Sequence, residues 1–210
     1  MTNKRMTAEE RRQSLIDAAI EVVARLNYDQ ATTALIAKAA GVNEAMIYRH
    51  FSSKTELQLA TLDYLIDYRL QIYRENPVFQ PENQHKSIIR ELTGQYLQRI
   101  QSPEVNMFAS ILKAMFAIDP QIREKGIECC MAFHEFNKDN LARDQARGFF
   151  DQALDPAVIS WEMLGKIMLV STLAVNNRLD AFGIENIKKS MAYFEDAYFA
   201  KNQQHGGRIP

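Results

Sequence analysis

The sequence is poor in the residues that would signal a stapled or secreted fold. Its only two cysteines, Cys129 and Cys130, are adjacent. Neighbours in the chain are badly placed for an ordinary intrachain disulfide, so neither a disulfide framework nor an oxidising compartment is implied. No glycine-rich loop suited to phosphate appears, nor a nucleophile elbow, nor paired carboxylates in a plausible site, and the chain reads as something other than an enzyme. Cys130 and His134 are four apart, on one face of a helix, but zinc needs four ligands, or three and a water; no metal and no cofactor are expected. The N-terminus, MTNKRMTAEERRQSLIDAA, has no apolar run before a cleavage site, and nowhere do about 18 apolar residues follow one another. A soluble, unprocessed, cytoplasmic protein without a membrane partner is expected. Charge of one sign is also lacking: the net is −1, which excludes a protein that coats nucleic acid through bulk positive charge. The distribution is mildly uneven, with eight Lys/Arg against six Asp/Glu in residues 1–55.

What the sequence does have is helical periodicity and apolar mass. At 210 residues and 47% hydrophobic content it can bury a sizeable core. No run of β-branched residues alternates strictly, so the fold class is all-α, with about nine helices. The first spans about 7–26, where Leu15, Ala19, Val22 and Leu26 recur at helical spacing, and Asn27-Tyr28-Asp29 stops it. Two short helices follow near 33–39 and 44–50. A long one opens at Ser53, whose hydroxyl and Glu56 make a capping box, and ends before Asn76-Pro77. The pairs Ser102-Pro103, Asp119-Pro120 and Asp155-Pro156 each place a capping side chain before a proline and mark new helices. Helices are thus expected near 82–101, 103–117, 120–147, 156–178 and, after Gly183, 184–202.

The informative stretch is TTALIAKAAGVNEAMIYRHF, residues 32–51. Ala37, Gly41 and Ile47 stand at the spacing of a helix-turn-helix. A small residue lets two helices cross, a glycine takes the left-handed turn, and an apolar residue anchors the second helix, which Asn43 can cap. The first half of that second helix would enter the DNA major groove.

Extended through Lys54, the segment ATTALIAKAAGVNEAMIYRHFSSKTELQLA resembles the signature of the TetR (tetracycline repressor) family: a Thr-Thr pair, Ile-Ala, Ala-Gly-Val, Tyr-x-His-Phe, and a Ser-Lys pair opening a long helix. The resemblance covers about residues 10–62. It implies a three-helix DNA-binding domain over residues 1–52, a helical ligand-binding and dimerisation domain over 53–202, and a flexible tail, 203–210. It further implies that Thr33 caps the second helix and touches a phosphate, that Tyr48, His50 and Lys54 hold the DNA backbone with Arg49 beside them, and that Ala34, Glu44, Ala45 and Met46 face the bases. The implied function is a ligand-responsive regulator, by the family's habit a repressor, released from a near-palindromic double-stranded operator by a small, mostly apolar effector. Two residues depart from the family pattern. Asn27 replaces a glycine before Tyr28, tolerable if Asn takes the left-handed conformation, and Ala45 stands where glycine or proline is frequent.

In the second half, Met107, Phe108, Met115, Phe116, Phe133 and Trp161, with the polar His134 and Asn137, are candidates to line an adaptable pocket. Core packing explains any one of them better than a pocket does, whereas the family resemblance favours a pocket for several of them together. The segment ISWEMLGKIMLVSTLAV is apolar on more than one face, and Ile187, Met191, Phe194 and Tyr198 form a stripe on the last helix. Met163, Ile167 and Val170 join them as expected contacts of a four-helix homodimer interface. Two other readings stay open: an adaptor using the helix-turn-helix for protein contacts, and a thiol redox sensor built on Cys129 and Cys130.

Overall fold

The computed structural model describes residues 6–100 and 106–199. Among these are ten α-helices and no strand: α1 (Ala8–Arg25), α2 (Thr33–Ala39), α3 (Glu44–His50), α4 (Lys54–Arg74), α5 (Ile88–Gln98), α6 (Asn106–Ala114), α7 (Pro120–Ala146), α8 (Pro156–Val175), α9 (Leu179–Phe182) and α10 (Ile184–Phe199). The all-α expectation holds, with one helix more than the sequence pattern suggests. The extra one is α9. It exists because α8 stops at Val175, where Asn177 takes φ 53° and lets Arg178 N–H bond back to Leu173 O at 2.9 Å.

Capping chemistry sets most boundaries. Thr7 and Glu10 exchange hydrogen bonds at the start of α1 in a capping box. Asp119 and Asp155 accept from the N–H groups of Gln121 and Ala157 at 2.9 and 2.8 Å, as the proline pairs predict. Ser102-Pro103 lies outside the described residues. At α4, Ser53 Oγ accepts from Glu56 N–H at 3.0 Å, but the Glu56 carboxylate turns to Ser52, accepting from its backbone N–H at 2.6 Å and from its hydroxyl. Helix α5 begins at Ile88 rather than near 82. Two 3₁₀ turns, Pro77–Phe79 and Pro81–Asn83, precede it, and its N-terminus is held by the buried Asp144 carboxylate, which accepts from Ser87 Oγ (2.7 Å) and from the N–H groups of Ile88 and Ile89 (3.0 Å each).

The chain forms two compact units. Unit 1 joins residues up to Tyr68 with Ala109–Cys130; unit 2 joins Arg69–Phe108 with the residues from Met131 on. Unit 1 therefore reaches past residue 52 and takes in a piece of the expected ligand-binding half. Its core holds Leu15, Ala19, Val23, Ile36, Ile47, Phe51 and Leu57, all buried. The inserted corner between α6 and α7 is tied to the N-terminal helices by polar contacts. Lys113 Nζ donates to Val23 O and Ala24 O (3.3 and 2.5 Å), and Ile118 N–H donates to Asp29 Oδ1 (3.0 Å). Thr55 Oγ1 donates to Asp119 Oδ2 (2.8 Å), and Lys125 pairs with Asp63 (2.6 Å).

In unit 2, Ile89, Leu141, Phe150, Ile159, Met163 and Phe194 make one buried cluster. Helix α8 is long and apolar enough to cross a membrane by length and composition alone, though part of it is buried within the chain. Glu162 and Lys166 interrupt it.

Gly41 and Gly126 show two different geometric demands for glycine. Gly41, at φ 66°, ends α2: its N–H reaches Lys38 O at 3.2 Å and Val42 N–H reaches Ala37 O at 3.0 Å. At Gly126 a Cβ would lie 2.8 Å from Ala114 Cβ and from Met115 N, so α7 meets the end of α6 with no room for a side chain. Gly41→Ala is expected to lower stability by about 1 kcal/mol and Gly126→Val by about 2–3 kcal/mol, read as the shift in urea midpoint.

Candidate nucleic-acid interface and effector region

The α2–turn–α3 unit is built from its caps inward. Thr32, not Thr33, caps α2, accepting from Leu35 N–H at 3.2 Å; this corrects the expected cap by one residue. Asn43 caps α3, accepting from Met46 N–H at 3.1 Å. Ile36, Ala37 and Ile47 are buried where the helices meet, while Ala34, Glu44, Ala45, Tyr48 and Arg49 are exposed and Met46 and His50 half-exposed. Hence one face of α3 is committed to the core, and the opposite face presents a carboxylate, a methyl, a phenol and a guanidinium.

Thr33 is buried, and its hydroxyl donates to the Glu44 carboxylate; Tyr48 OH stands 3.5 Å from the Thr33 hydroxyl oxygen. Three side chains expected to contact DNA separately are thus one hydrogen-bonded group. Lys54 is half-buried, its ammonium donating to Asp29 O at 3.1 Å. Asn27 is not left-handed. Its φ is negative and its Oδ1 accepts from Gln30 N–H at 2.8 Å, so asparagine serves here as a turn cap and not as a glycine substitute. Of the N-terminal basic residues, Arg12 lies 4.8 Å over the Phe51 ring; Lys4 and Arg5 lie outside the described residues.

This segment matches the family model of bacterial regulatory proteins, tetR family, over residues 15–61. The HTH-type transcriptional regulator TtgW of Pseudomonas putida is 32% identical over 108 residues, covering 50% of this chain and 74% of that protein. This chain belongs to the TetR family. The regulator SrpR of Pseudomonas putida is also 32% identical over 108 residues, 50% of this chain, but the match covers only 46% of its own length. Outside the helix-turn-helix, likeness persists in fold: the regulatory protein TetR from Rhodobacter sphaeroides superposes with TM-score 0.70 over 89% of this chain and 97% of its own, at 19% identity.

In the second half of the chain, sequence and structure part. Of the residues expected to line one pocket, Phe108 and Phe133 are fully buried with ring centroids 4.8 Å apart, and Tyr96 packs edge-on to Phe108 at 6.1 Å. They are core. His134 and Asn137 are buried; Trp161, 48% exposed, stacks on the His134 ring at 4.3 Å. Phe116 is 77% exposed, and it and Met115 belong to unit 1, apart from the rest. The Met107 side chain lies outside the described residues.

The expected dimer stripe is similarly redistributed. Met163, Val170, Ile187, Met191 and Phe194 are buried within the one chain, Ile167 and Tyr198 are half-buried, and Lys166 Nζ sits 4.2 Å over the Phe194 ring. Internal packing of α8 on α10 accounts for their spacing. Among the described residues of α8 to α10, the large apolar side chains left facing outward are Val158, Trp161, Leu169, Phe182 and Tyr193. Between α8 and α10 a groove of about 200 Å³ is lined by Leu169, Leu173 and Phe182 together with edges of Val170, Ile187 and Met191.

The adjacent thiols are quiet. Cys129 is buried, with Sγ 3.8 Å from Leu62 O, and burial pushes its pKa up to about 12; burial raises that of Cys130 too. At pH 8 the Cys129 thiolate is therefore far scarcer than that of a free cysteine. Iodoacetamide should label the native protein slowly and the urea-unfolded protein at the ordinary rate; fast native labelling of Cys129 would contradict this environment.

Proposed function

We propose that this protein is a homodimeric, ligand-responsive DNA-binding regulator that represses transcription from a near-palindromic operator, α3 being its reading helix. The observation that carries it is the α2–α3 geometry: a short turn fixed by Gly41, one face of α3 locked in the core, and the other carrying Glu44, Ala45, Tyr48 and Arg49 into solvent. A helix presented this way fits the major groove, with its N-terminal residues at base edges. Glu44 can accept from a cytosine amino group while Thr33 holds its orientation, Met46 can pack against a thymine methyl, and Ala34 and Ala45 leave room for close approach. Tyr48, Arg49, His50 and Lys54 lie where phosphates would pass, setting position and not sequence.

For the dimer, the outward apolar face of α8 supports the reading. Val158, Trp161 and Leu169 on α8, with Phe182 on α9, are the large exposed apolar side chains available for burial against a second copy. Helices α4 and α7 each contribute residues to both compact units, so a ligand that displaces either helix in unit 2 alters the backbone that supports α3. An adaptor working by protein contacts would lack salt-sensitive DNA retardation; the buried thiols give a redox sensor no support.

A mobility-shift assay with DNA flanking the protein's own gene tests the reading; absence of sequence-selective retardation would refute it. In that assay Tyr48→Phe and Lys54→Ala should weaken binding to all DNA alike, Lys54→Ala lowering the salt slope by about one counterion. Glu44→Ala should instead change base preference by about 1–3 kcal/mol at particular operator positions. Leu169→Asp should give a folded monomer with little operator affinity, by light scattering, whereas Phe194→Asp should unfold unit 2, because Phe194 is core.

A further inference from the structure

Unit 2 carries a groove of about 560 Å³ between α4, the first 3₁₀ turn and α7, a size suited to a small organic ligand. One wall is aromatic. The Phe136 ring stacks on Tyr73 at 5.2 Å with planes 15° apart, and Phe79 meets it edge-on at 6.5 Å, so the rings hold one another in place. Leu70 extends the apolar surface. At the polar end stand Arg74, Arg143 and Asn140.

Asn140 is the informative residue. It is 1% exposed, its Oδ1 accepts from Arg143 Nη1 at 3.5 Å, and its Nδ2 is buried without a hydrogen-bond partner. The guanidinium fixes the amide orientation, since the reverse would set donor against donor. A buried donor left unpaired in a residue that lines a groove is uncommon, because such groups are normally satisfied. We infer that this groove binds a small aromatic monocarboxylate, its ring against Phe79 and Phe136 and its carboxylate taken by Asn140 Nδ2 and the guanidinium of Arg143.

The charges select a single negative group. Two arginines face two carboxylates, but Glu135 is already bound by Lys138, leaving one positive charge in excess over Asp139. A dianion would be repelled by Asp139, and a neutral amide forfeits the charge-assisted contacts. With the amide held by Arg143, a carboxylate reaches the sealed Nδ2 when a side chain beside it turns aside, a rearrangement of the kind that commonly accompanies binding. This site deepens the ligand-responsive reading above and rests on it only for its biological effect.

Calorimetry on the full chain tests it with three probes of one shape: 2-naphthoate, 2-naphthamide and 2-naphthylmethylamine. Naphthoate should bind once per chain, at least about tenfold more tightly than the other two. Asn140→Asp keeps the acceptor facing Arg143 and replaces the donor by a negative oxygen; it should weaken naphthoate at least about tenfold and leave the amide unaffected. Asn140→Leu removes the donor without adding charge and should also lose naphthoate, with circular dichroism and melting unchanged or improved. Equal binding of amide and carboxylate, preference for the amine, no naphthoate binding at millimolar concentration, or indifference to both Asn140 variants would each overturn the site. Operator release is measured in parallel. Asn140-dependent binding without release upholds the site and refutes its regulatory role, whereas release by a compound insensitive to the Asn140 variants upholds the regulator and removes this groove from it.

Discussion

The contact on which unit 1 depends is the buried end of α1, closed by an ammonium from a distant part of the chain. Helix α1 finishes with carbonyls that have no partner within the helix, and Lys113 supplies them, donating to Val23 O and Ala24 O from 89 or more residues away. Burial lowers the Lys113 pKa, because removing the ammonium from water disfavours its charged form; the two carbonyls offset that cost. With α1 fixed at this end, Asp29 accepts from Ile118 N–H and Lys54, and Asp119 from Thr55. The loop and the start of α4 are thereby set against α1, and α2 and α3 stand on that base. Gly126 allows it, since the corner between α6 and α7 closes only where no Cβ intervenes.

The same logic of satisfying backbone ends governs unit 2, through a carboxylate. Asp144, fully buried, accepts from Ser87 Oγ and from two N–H groups at the start of α5, where negative charge suits the helix dipole. Tyr96 OH engages Ile167 O and Ser171 at 3.1 and 2.9 Å, tying α5 to α8.

A regulator of this kind needs a rigid reading head and a deformable sensing half. In the α2–α3 unit, Thr33 donates to the Glu44 carboxylate and stands 3.5 Å from Tyr48 OH, so the protein's own contacts orient the Thr33 and Glu44 side chains. Helices α4 and α7 each contribute residues to both units.

The sequence by itself determined the secondary structure and the reading head, because both rest on local rules. Caps, prolines and the left-handed turn at Gly41 act over a few residues, and α2 and α3 fall at the predicted positions, 33–39 and 44–50. Even there, one-residue distinctions escaped it: which threonine caps α2 and why Asn27 is tolerated depend on backbone torsions. Only the tertiary structure decided which apolar residues face inward. The spacing of Ile187, Met191 and Phe194 is the same whether a stripe packs on its own chain or on a partner, and it packs on its own. Phe108 and Phe116 look alike in sequence, yet one is buried and the other 77% exposed. Asp144, Lys113 and Asn140 gave no sequence signal at all, since what matters about each is a partner, or the lack of one, brought near by the fold and not by spacing along the chain.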